Sequence, residues 1–264
     1  MRPKLIATDL DGTLFGRDLT VSARNRRAIA LAHEAGIPVV MATGRMFRST
    51  RPYAVECGIK TPLITYQGAL IRDHETLEDL WHHTIPLVSA RAALDALAET
   101  GMAVNLYLND ELLIERQTAE SDLYASVSRI EPRQVPSLDE ALVAEPTKIV
   151  AIGTTDQVAK WVPALQERFG STLYITESIP IFLEIANPLI RKSVALAHVA
   201  ERLGVQADEI VAFGDGVNDL DMLSYAGLGV AMGNAPERVR AIADRVAPPV
   251  SEDGVAQVIE ELLA

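Results

Sequence analysis

Short apolar runs alternate with helical patterns at the start of the chain. Lys4–Thr8 and Pro38–Thr43 have the length of buried strands, and each ends in a polar loop. Between them, Ser22 suits the N-cap of a helix. The expected apolar stripe of this helix consists of Ala28, Ile29, Leu31 and Ala32. A further helix ending near Cys57 and a strand at Leu63–Tyr66 continue the alternation.

The same alternation returns in the last third of the chain. A helix is expected at about Lys192–Leu203, followed by strands at Ile210–Phe213 and Leu228–Ala231, and Pro236 favours the start of another helix. Alternating apolar strands and helices are typical of an α/β fold with a doubly wound, mainly parallel sheet. Ligands of such sheets bind outside the carboxyl ends of the strands, where the polar loops lie.

The middle of the chain has a different pattern. A helix at Ser89–Glu99 is followed by several short strands, which is typical of an inserted α+β unit. Three of the expected strands are Lys148–Ile152, Thr172–Thr176 and Phe182–Ala186. We therefore predict a core formed by residues 1–83 and 188–264, with an insert at 84–187, and Pro86 and Pro188 stand near its two ends.

Composition and charge exclude several classes of protein. The 264 residues are 48% hydrophobic and 23% charged, as in ordinary globular chains. The net charge of −12 disfavours binding to nucleic acid and to anionic membranes. No apolar run approaches the ~18 residues of a membrane span, and the N-terminal run is too short for a secretory signal. We expect a cytoplasmic protein that is a monomer or a homodimer.

Two aspartates follow the first expected strand in the motif DLDGT. Residues two apart in extended backbone point the same way, so Asp9 and Asp11 should face one cavity. The alternative is a pair of surface loop acids, which the buried strand before them disfavours. A carboxylate is anionic without an activating base, so Asp9 could attack a phosphoryl group. Asp11 could then serve as general acid and base.

A second pair of acids follows the strand at Ile210–Phe213 in the motif GDGVND. Together with the first pair, Asp215 and Asp219 would put four negative charges in one cavity, which would repel a phosphate. A cation is therefore required. Carboxylate oxygens together with a phosphate substrate favour Mg²⁺ over zinc. Lys192 would add one positive charge, although a lysine alone is usually a solvated side chain.

A possible phosphate-binding segment follows the second expected strand. The hydroxyl of Thr43 and the free amides near Gly44 could bind phosphate oxygens at a helix start. Arg45, if it points inward, would add positive charge and could contact the substrate. Alone, this segment could equally be an ordinary entry into a helix, and the neighbouring acidic motifs favour the functional interpretation.

Taken together, these motifs resemble those of the haloacid dehalogenase superfamily, and more closely its Cof-type phosphatases with a type IIB cap. The resemblance spans essentially the whole chain. It rests on DLDGT at Asp9–Thr13, ATGR at Ala42–Arg45, Lys192, and GDGVND at Gly214–Asp219. It implies a Rossmann-like core sheet with an inserted α+β cap. Gln67 departs from the family pattern, which usually has Asn in an Asn-Gly-Ala sequence.

The resemblance also implies roles for individual residues. Asp9 would be the nucleophile and a magnesium ligand, with Asp215 as the other carboxylate ligand. Asp11 would be the acid/base and would bind the metal through its main-chain carbonyl. Asp219 would support the metal or Lys192. The phosphate would be held by Thr43, Lys192 and Asn218, assisted by the main-chain amides of Leu10 and Gly44.

The expected function is a Mg²⁺-dependent phosphatase that hydrolyses small cytosolic phosphomonoesters through an aspartyl-phosphate intermediate. The resemblance favours sugar phosphates, because the type IIB cap of the similar family closes over compact organic phosphates, and phosphorylated cofactors such as pyridoxal phosphate or flavin mononucleotide are a further possibility. Candidate selecting residues lie around Tyr107, Asn109 and Glu184. Two alternatives remain open, a phosphomutase that uses the same aspartate pair and a phosphosugar-binding sensor without activity. The expected partner is a small phosphorylated metabolite, with no nucleic acid and no membrane.

Overall fold

The computed structural model describes residues 3–264, and these form two compact units. The core unit consists of the chain up to Trp81 together with Arg191–Ala264, and the inserted unit consists of His82–Ile190. Within residues 3–264, no helix combines the length and the apolar character needed to traverse a bilayer.

Strands and helices alternate in the two outer segments and are mixed in the insert. The first segment contains β1 (Leu5–Thr8), α1 (Ala23–Glu34), β2 (Val39–Met41), α2 (Phe47–Glu56), β3 (Leu63–Thr65), β4 (Leu70–Arg72) and β5 (Asp79–His82). The middle segment contains α3 (Leu87–Ala98), β6 (Ala103–Leu108), β7 (Glu111–Ile114), α4 (Ala119–Ser128), β8 (Arg133–Gln134), α5 (Leu138–Ala141), β9 (Lys148–Ile152), α6 (Thr155–Phe169), β10 (Tyr174–Ile179) and β11 (Phe182–Ala186). The last segment contains α7 (Lys192–Leu203), β12 (Ile210–Gly214), α8 (Leu220–Tyr225), β13 (Leu228–Ala231), α9 (Glu237–Arg240), β14 (Arg245–Val246) and α10 (Gly254–Leu263).

The main sheet of the core unit is parallel and doubly wound, as the sequence predicted. Its strand order is β14-β13-β12-β1-β2, and Thr8 at the end of β1 pairs with Phe213 on one side and Met41 on the other. From β1 the chain proceeds towards β2, whereas from β12 it proceeds towards β13 and β14. The direction of winding therefore reverses between β1 and β12, where ligands bind in sheets of this kind.

Helix α1 differs from the sequence prediction in the side chains that it buries. Leu31, expected in the apolar stripe, is 37% exposed, whereas Asn25 is 1% exposed. Asn25 lies three, four and seven residues before Ala28, Ile29 and Ala32, so it shares their face of the helix. Its amide donates to the carbonyl oxygen of Leu14 at 3.0 Å and accepts from the N–H of Ala256 at 3.0 Å.

Two other elements also differ from those predicted. The strand expected at Thr172–Thr176 is β10 at Tyr174–Ile179, because residues Gly170–Thr172 form a 3₁₀ turn after α6. Helix α10 is absent from the predicted elements, although its buried residues have helical spacing. These residues are Gly254, Val255, Ala256, Val258 and Ile259.

The inserted unit contains a mainly antiparallel sheet with the order β10-β11-β9-β6-β7-β8. One face packs against α3, α5 and α6 through a continuous apolar cluster that includes Leu97, Ile149 and Leu165. Neighbouring residues on a strand point to opposite faces, so Lys148 lies on the other face. There it forms a 2.8 Å ion pair with Glu184, and both side chains are buried.

Replacing Asn25 with alanine should destabilise the core unit. The change leaves the buried carbonyl of Leu14 and the buried N–H of Ala256 without their hydrogen bonds. Unpaired buried groups of this kind typically cost about 1–3 kcal/mol each, and we expect a loss of unfolding free energy in that range or somewhat above. Urea unfolding monitored by circular dichroism measures it. The exposed Arg27→Ala on the same helix is the control, and an equal loss in both variants would contradict a special role for the Asn25 amide.

Candidate active site

The carboxyl ends of three adjacent strands bring the predicted motifs together. Asp9 follows β1, Thr43 stands two residues after β2, and Asp215 follows β12. The N–H of Asp9 donates to the carbonyl oxygen of Phe213 at 3.0 Å, and the N–H of Ala42 donates to that of Thr8 at 2.9 Å. The three loops thus begin at the same edge of the sheet, at the point where the direction of winding reverses.

A buried lysine connects two of the aspartates. Lys192, the first residue of α7, places its Nζ 2.7 Å from Oδ1 of Asp9 and 2.6 Å from Oδ1 of Asp219. Its side chain has no exposed surface. One carboxylate oxygen each from Asp9, Asp215 and Asp219 lies within 4.8 Å of the others. This acidic cluster is therefore a single site built from segments about two hundred residues apart.

Asp219 connects Lys192 to the backbone of the loop that carries Asp215. Its Oδ2 accepts hydrogen bonds from the N–H groups of Asp215 and Gly216 at 3.0 and 2.8 Å, while its Oδ1 accepts from Lys192. This close approach requires a glycine at position 214, since a Cβ there would lie 2.5 Å from the Cβ of Asp219. Asp219 thus holds both Lys192 and the backbone that carries Asp215.

Burial and mutual repulsion make the acidic cluster costly without a cation. Burial raises the pKa of Asp9 well above its ordinary value; Lys192 opposes this shift, and the other three acids reinforce it. Burial, with repulsion from Asp219, raises the pKa of Asp215 to about 6. Although burial opposes it, the charges of Asp219 and Asp9 raise the pKa of Lys192. One ammonium group faces three carboxylates.

The carboxylate of Asp215 is held from both sides. Its Oδ1 accepts from the hydroxyl of Thr13 at 3.2 Å, and its Oδ2 accepts from Nδ2 of Asn234 at 3.2 Å. Gly12, with a φ of 77°, makes room for it, because a Cβ on Gly12 would lie 2.1 Å from Oδ2 of Asp215. Both oxygens keep lone pairs for a further ligand.

Asp11 is outside the acidic cluster and pairs with Arg45. The guanidinium donates from Nε to Oδ2 and from Nη2 to Oδ1, each at 2.6 Å. The side chain of Arg45 is 7% exposed and lies 5.3 Å from the ring centre of Phe15, whereas that of Asp11 is 48% exposed. The motifs predicted up to four negative charges in one cavity. The structure groups three, and Arg45 compensates the charge of Asp11.

The candidate phosphate-binding residues lie around the loop after β2. The hydroxyl of Thr43 accepts from the N–H of Arg45 at 3.2 Å, and the carbonyl oxygen of Thr43 accepts from the N–H of Gln67 at 3.0 Å. Asn218 donates from Nδ2 to Oε1 of Gln67 at 3.0 Å. Gly44 lies against the Gln67 side chain, since a Cβ there would be 2.4 Å from Nε2.

The tight DLDGT turn is closed by the Leu10 carbonyl oxygen, which accepts from the N–H groups of Thr13, Leu14 and Phe15 at 2.9–3.2 Å. The structure thus brings the catalytic, phosphate-binding and metal-binding candidates to the carboxyl end of the core sheet, whereas the candidate selecting residues Tyr107, Asn109 and Glu184 lie in the inserted unit. The candidates at the sheet end are Asp9, Leu10, Asp11, Thr43, Gly44, Arg45, Lys192, Asp215, Asn218 and Asp219.

The acidic cluster fits a divalent cation. The three clustered acids outnumber Lys192 by two negative charges, and their oxygens are the hard ligands that such cations prefer. Asp9 and Asp215 have oxygens open to a metal, whereas Asp219 is occupied by Lys192 and the backbone. No histidine or cysteine belongs to the cluster within the described part of the chain, so a soft-metal site is disfavoured.

Two residues that donate hydrogen bonds to the Asp215 carboxylate are not among the candidates from the sequence. Thr13 appears in the motifs only as the last residue of DLDGT, and Asn234 lies three residues after the strand expected at Leu228–Ala231 and belongs to no recognised motif. A signal for Asn234 is present, because it follows β13, the strand next to β12. Parallel neighbours end at the same edge, so polar residues after β13 belong among the candidates.

Comparisons with known proteins identify the family of the chain. Residues 6–259 match the family of haloacid dehalogenase-like hydrolases. The chain is 33% identical over 258 residues to the 5-amino-6-(5-phospho-D-ribitylamino)uracil phosphatase YcsE of Bacillus subtilis, covering 97% of this chain and 94% of that protein.

Solved structures show the same fold. A haloacid dehalogenase-like hydrolase from Bacteroides thetaiotaomicron has a TM-score of 0.92 and 29% identity, covering 98% of this chain and 99% of its own. The HAD subclass IIB sugar phosphatase BT4131 has a TM-score of 0.84 and 24% identity, covering 98% of both chains. The family expected from the motifs is therefore confirmed: this chain belongs to the haloacid dehalogenase-like hydrolases and is a phosphatase of that family.

Proposed function

We propose that this phosphatase uses Mg²⁺ to hydrolyse small phosphomonoesters through a phosphoaspartate on Asp9. The observation that carries the proposal is the bridge from Lys192 to Asp9 and Asp219, with Asp215 in the same cluster. A nucleophilic carboxylate, a fixed cationic side chain and a carboxylate open to a metal stand together where phosphate ligands bind in such sheets.

The first step would transfer the phosphoryl group to the enzyme. Lys192 holds Oδ1 of Asp9, which leaves Oδ2 as the oxygen that attacks phosphorus. The bond from phosphorus to the ester oxygen breaks as the new Oδ2–phosphorus bond forms, and Asp11 donates a proton to the departing alkoxide. Before this step Asp11 must leave its ion pair with Arg45 and take up a proton from water, and Arg45 could then contact the substrate.

The second step would release phosphate. Asp11, now anionic, takes a proton from a water molecule, whose oxygen attacks phosphorus, and the carboxylate of Asp9 leaves. Thr43, Lys192 and Asn218, with the amides of Leu10 and Gly44, would hold the phosphoryl oxygens in both steps. Asp9, Asp215 and the Asp11 carbonyl would hold Mg²⁺, whose positive charge would allow a phosphate dianion to enter.

The proposed substrates are compact phosphorylated metabolites, with sugar phosphates favoured. YcsE, the Bacillus relative, acts on a phosphate carried by a ribityl chain, and its alignment spans nearly the whole of this chain. We propose that the insert, residues 84–187, acts as a cap that selects the substrate. The net charge of −12 favours a small ligand over nucleic acid or an anionic membrane.

Incubation with a panel of sugar monophosphates and Mg²⁺ tests the reaction. We expect release of inorganic phosphate, measured colorimetrically, and Asp9→Asn should reduce kcat/KM by a factor on the order of 10⁴ to 10⁶ because the nucleophile is lost. Asp208→Asn, an exposed acid of the same unit, is the control. Isomerised sugar phosphate without free phosphate would indicate a mutase, and binding without turnover of sugar or aryl phosphates would indicate a sensor.

Asp11→Asn should separate the two steps when p-nitrophenyl phosphate is the substrate. Nitrophenolate leaves without a donated proton, so Asp9 can still be phosphorylated, but hydrolysis of the phosphoaspartate lacks its base. Rapid-mixing absorbance should show a burst of about one nitrophenolate per protein, followed by slow turnover. A linear time course at the rate of Asp208→Asn would be evidence against Asp11 as the acid/base.

Removing the metal should abolish turnover, and adding Mg²⁺ back should restore it, because the acidic cluster otherwise repels the phosphate. Magnesium should also stabilise the fold, by about 2.7 kcal/mol at a concentration of 100 Kd. Activity assays and thermal unfolding of chelator-treated protein measure both effects. Chelator already saturated with Mg²⁺ is the control, and undiminished activity in excess chelator would rule out the metal requirement.

A further inference from the structure

The loop after β13 reaches the metal-binding end of the core sheet. Gly214 of β12 pairs with Ala231 of β13, and the N–H of Met232 donates to the carbonyl oxygen of Gly214 at 3.0 Å. Asn234, two residues further on, therefore lies beside the loop that carries Asp215. The motifs give it no role.

The side chain of Asn234 connects three loops. Its Nδ2 donates to the carbonyl oxygen of Gly12 at 2.8 Å and to Oδ2 of Asp215 at 3.2 Å. Its Oδ1 accepts from the N–H of Val250 at 2.8 Å. The partners fix the orientation of the amide, because a carbonyl and a carboxylate only accept, and a backbone N–H only donates.

Thr13 completes the arrangement from the other side. Its side chain is fully buried, and its hydroxyl donates to Oδ1 of Asp215 at 3.2 Å. Each carboxylate oxygen of Asp215 thus has one donor, so rotation of the carboxylate would break a hydrogen bond. Asn234 and Thr13 come from different loops, and neither belongs to the acidic cluster itself.

We propose that Asn234 is a positioning residue that, together with Thr13, orients the Asp215 carboxylate for the divalent cation. The inference rests on the proposed function, because it assumes that Asp215 is a metal ligand. A carboxylate that is already held by hydrogen bonds loses less rotational entropy when it binds the metal. Loss of such supporting contacts typically weakens metal affinity or activity by 10–100-fold.

Direct titration of Mg²⁺ into the metal-free protein by calorimetry tests the proposal. We expect Asn234→Ala and Thr13→Val each to raise the Kd for Mg²⁺ by about 10–100-fold. Thr13→Ser, which keeps the hydroxyl, should restore affinity. Gln257→Ala is the matched control, because this exposed amide donates to the Glu252 carbonyl at 2.7 Å in the loop that also contains Val250, without an observed bond to Asp215.

Combining Asn234→Ala with Thr13→Val separates positioning from a general loosening of the fold. If both residues act through one carboxylate, the double variant should weaken binding by less than the product of the single effects. The thermal midpoint of metal-free Asn234→Ala should match that of Gln257→Ala. Asn234→Ser, which retains a small polar side chain, serves as the second variant if alanine lowers that midpoint.

The outcomes are distinct. Wild-type affinity for Mg²⁺ in both Asn234 variants would overturn the inference while leaving the proposed metal requirement intact. Fully multiplicative effects of Asn234→Ala and Thr13→Val would overturn the claim that they share one carboxylate. If the wild-type protein takes up no Mg²⁺ at all, the proposed function fails and this inference fails with it.

Discussion

Two ion pairs of the buried Lys192 ammonium hold the site together. A fully buried lysine remains charged only when acids compensate it, and here Asp9 and Asp219 approach within 2.7 and 2.6 Å. This ion pair fixes the start of α7 against the ends of β1 and β12. Because Asp215 adds a third carboxylate, the site keeps an excess of negative charge, which a bound cation would offset.

The two aspartates of the DLDGT turn experience different surroundings. Asp9 is buried in the acidic cluster next to Lys192, whereas Asp11 is half-exposed and held by Arg45. Carboxylates placed in contrasting environments can take different chemical roles. The separation suits the proposed mechanism, in which Asp9 becomes covalently modified and Asp11 moves a proton at the open side of the site.

Much of the site was accessible from sequence because strand ends are easily recognised. An apolar run that stops at DLDGT or GDGVND predicts a loop at the carboxyl end of a parallel strand, and parallel strands bring such ends to one edge. What escaped this reasoning were single polar residues with structural partners. Asn25 stands outside the apolar stripe expected for α1, yet it is buried and bonds to Leu14 and Ala256. Asn234 stood in a segment with no recognised chemistry.

The doubly wound core, the order of its motifs and the candidate reacting groups can be predicted from the order of residues, since they follow from local periodicity and residue chemistry. How the charges are shared among the side chains emerges only in the folded protein. Contacts between distant segments decide whether Arg45 compensates the charge of Asp11 and whether the Asp219 carboxylate is occupied. They also decide which side chains donate hydrogen bonds to Asp215. Pattern along a chain specifies which face a residue occupies, but a hydrogen bond requires distance and direction, which exist only after the loops have packed.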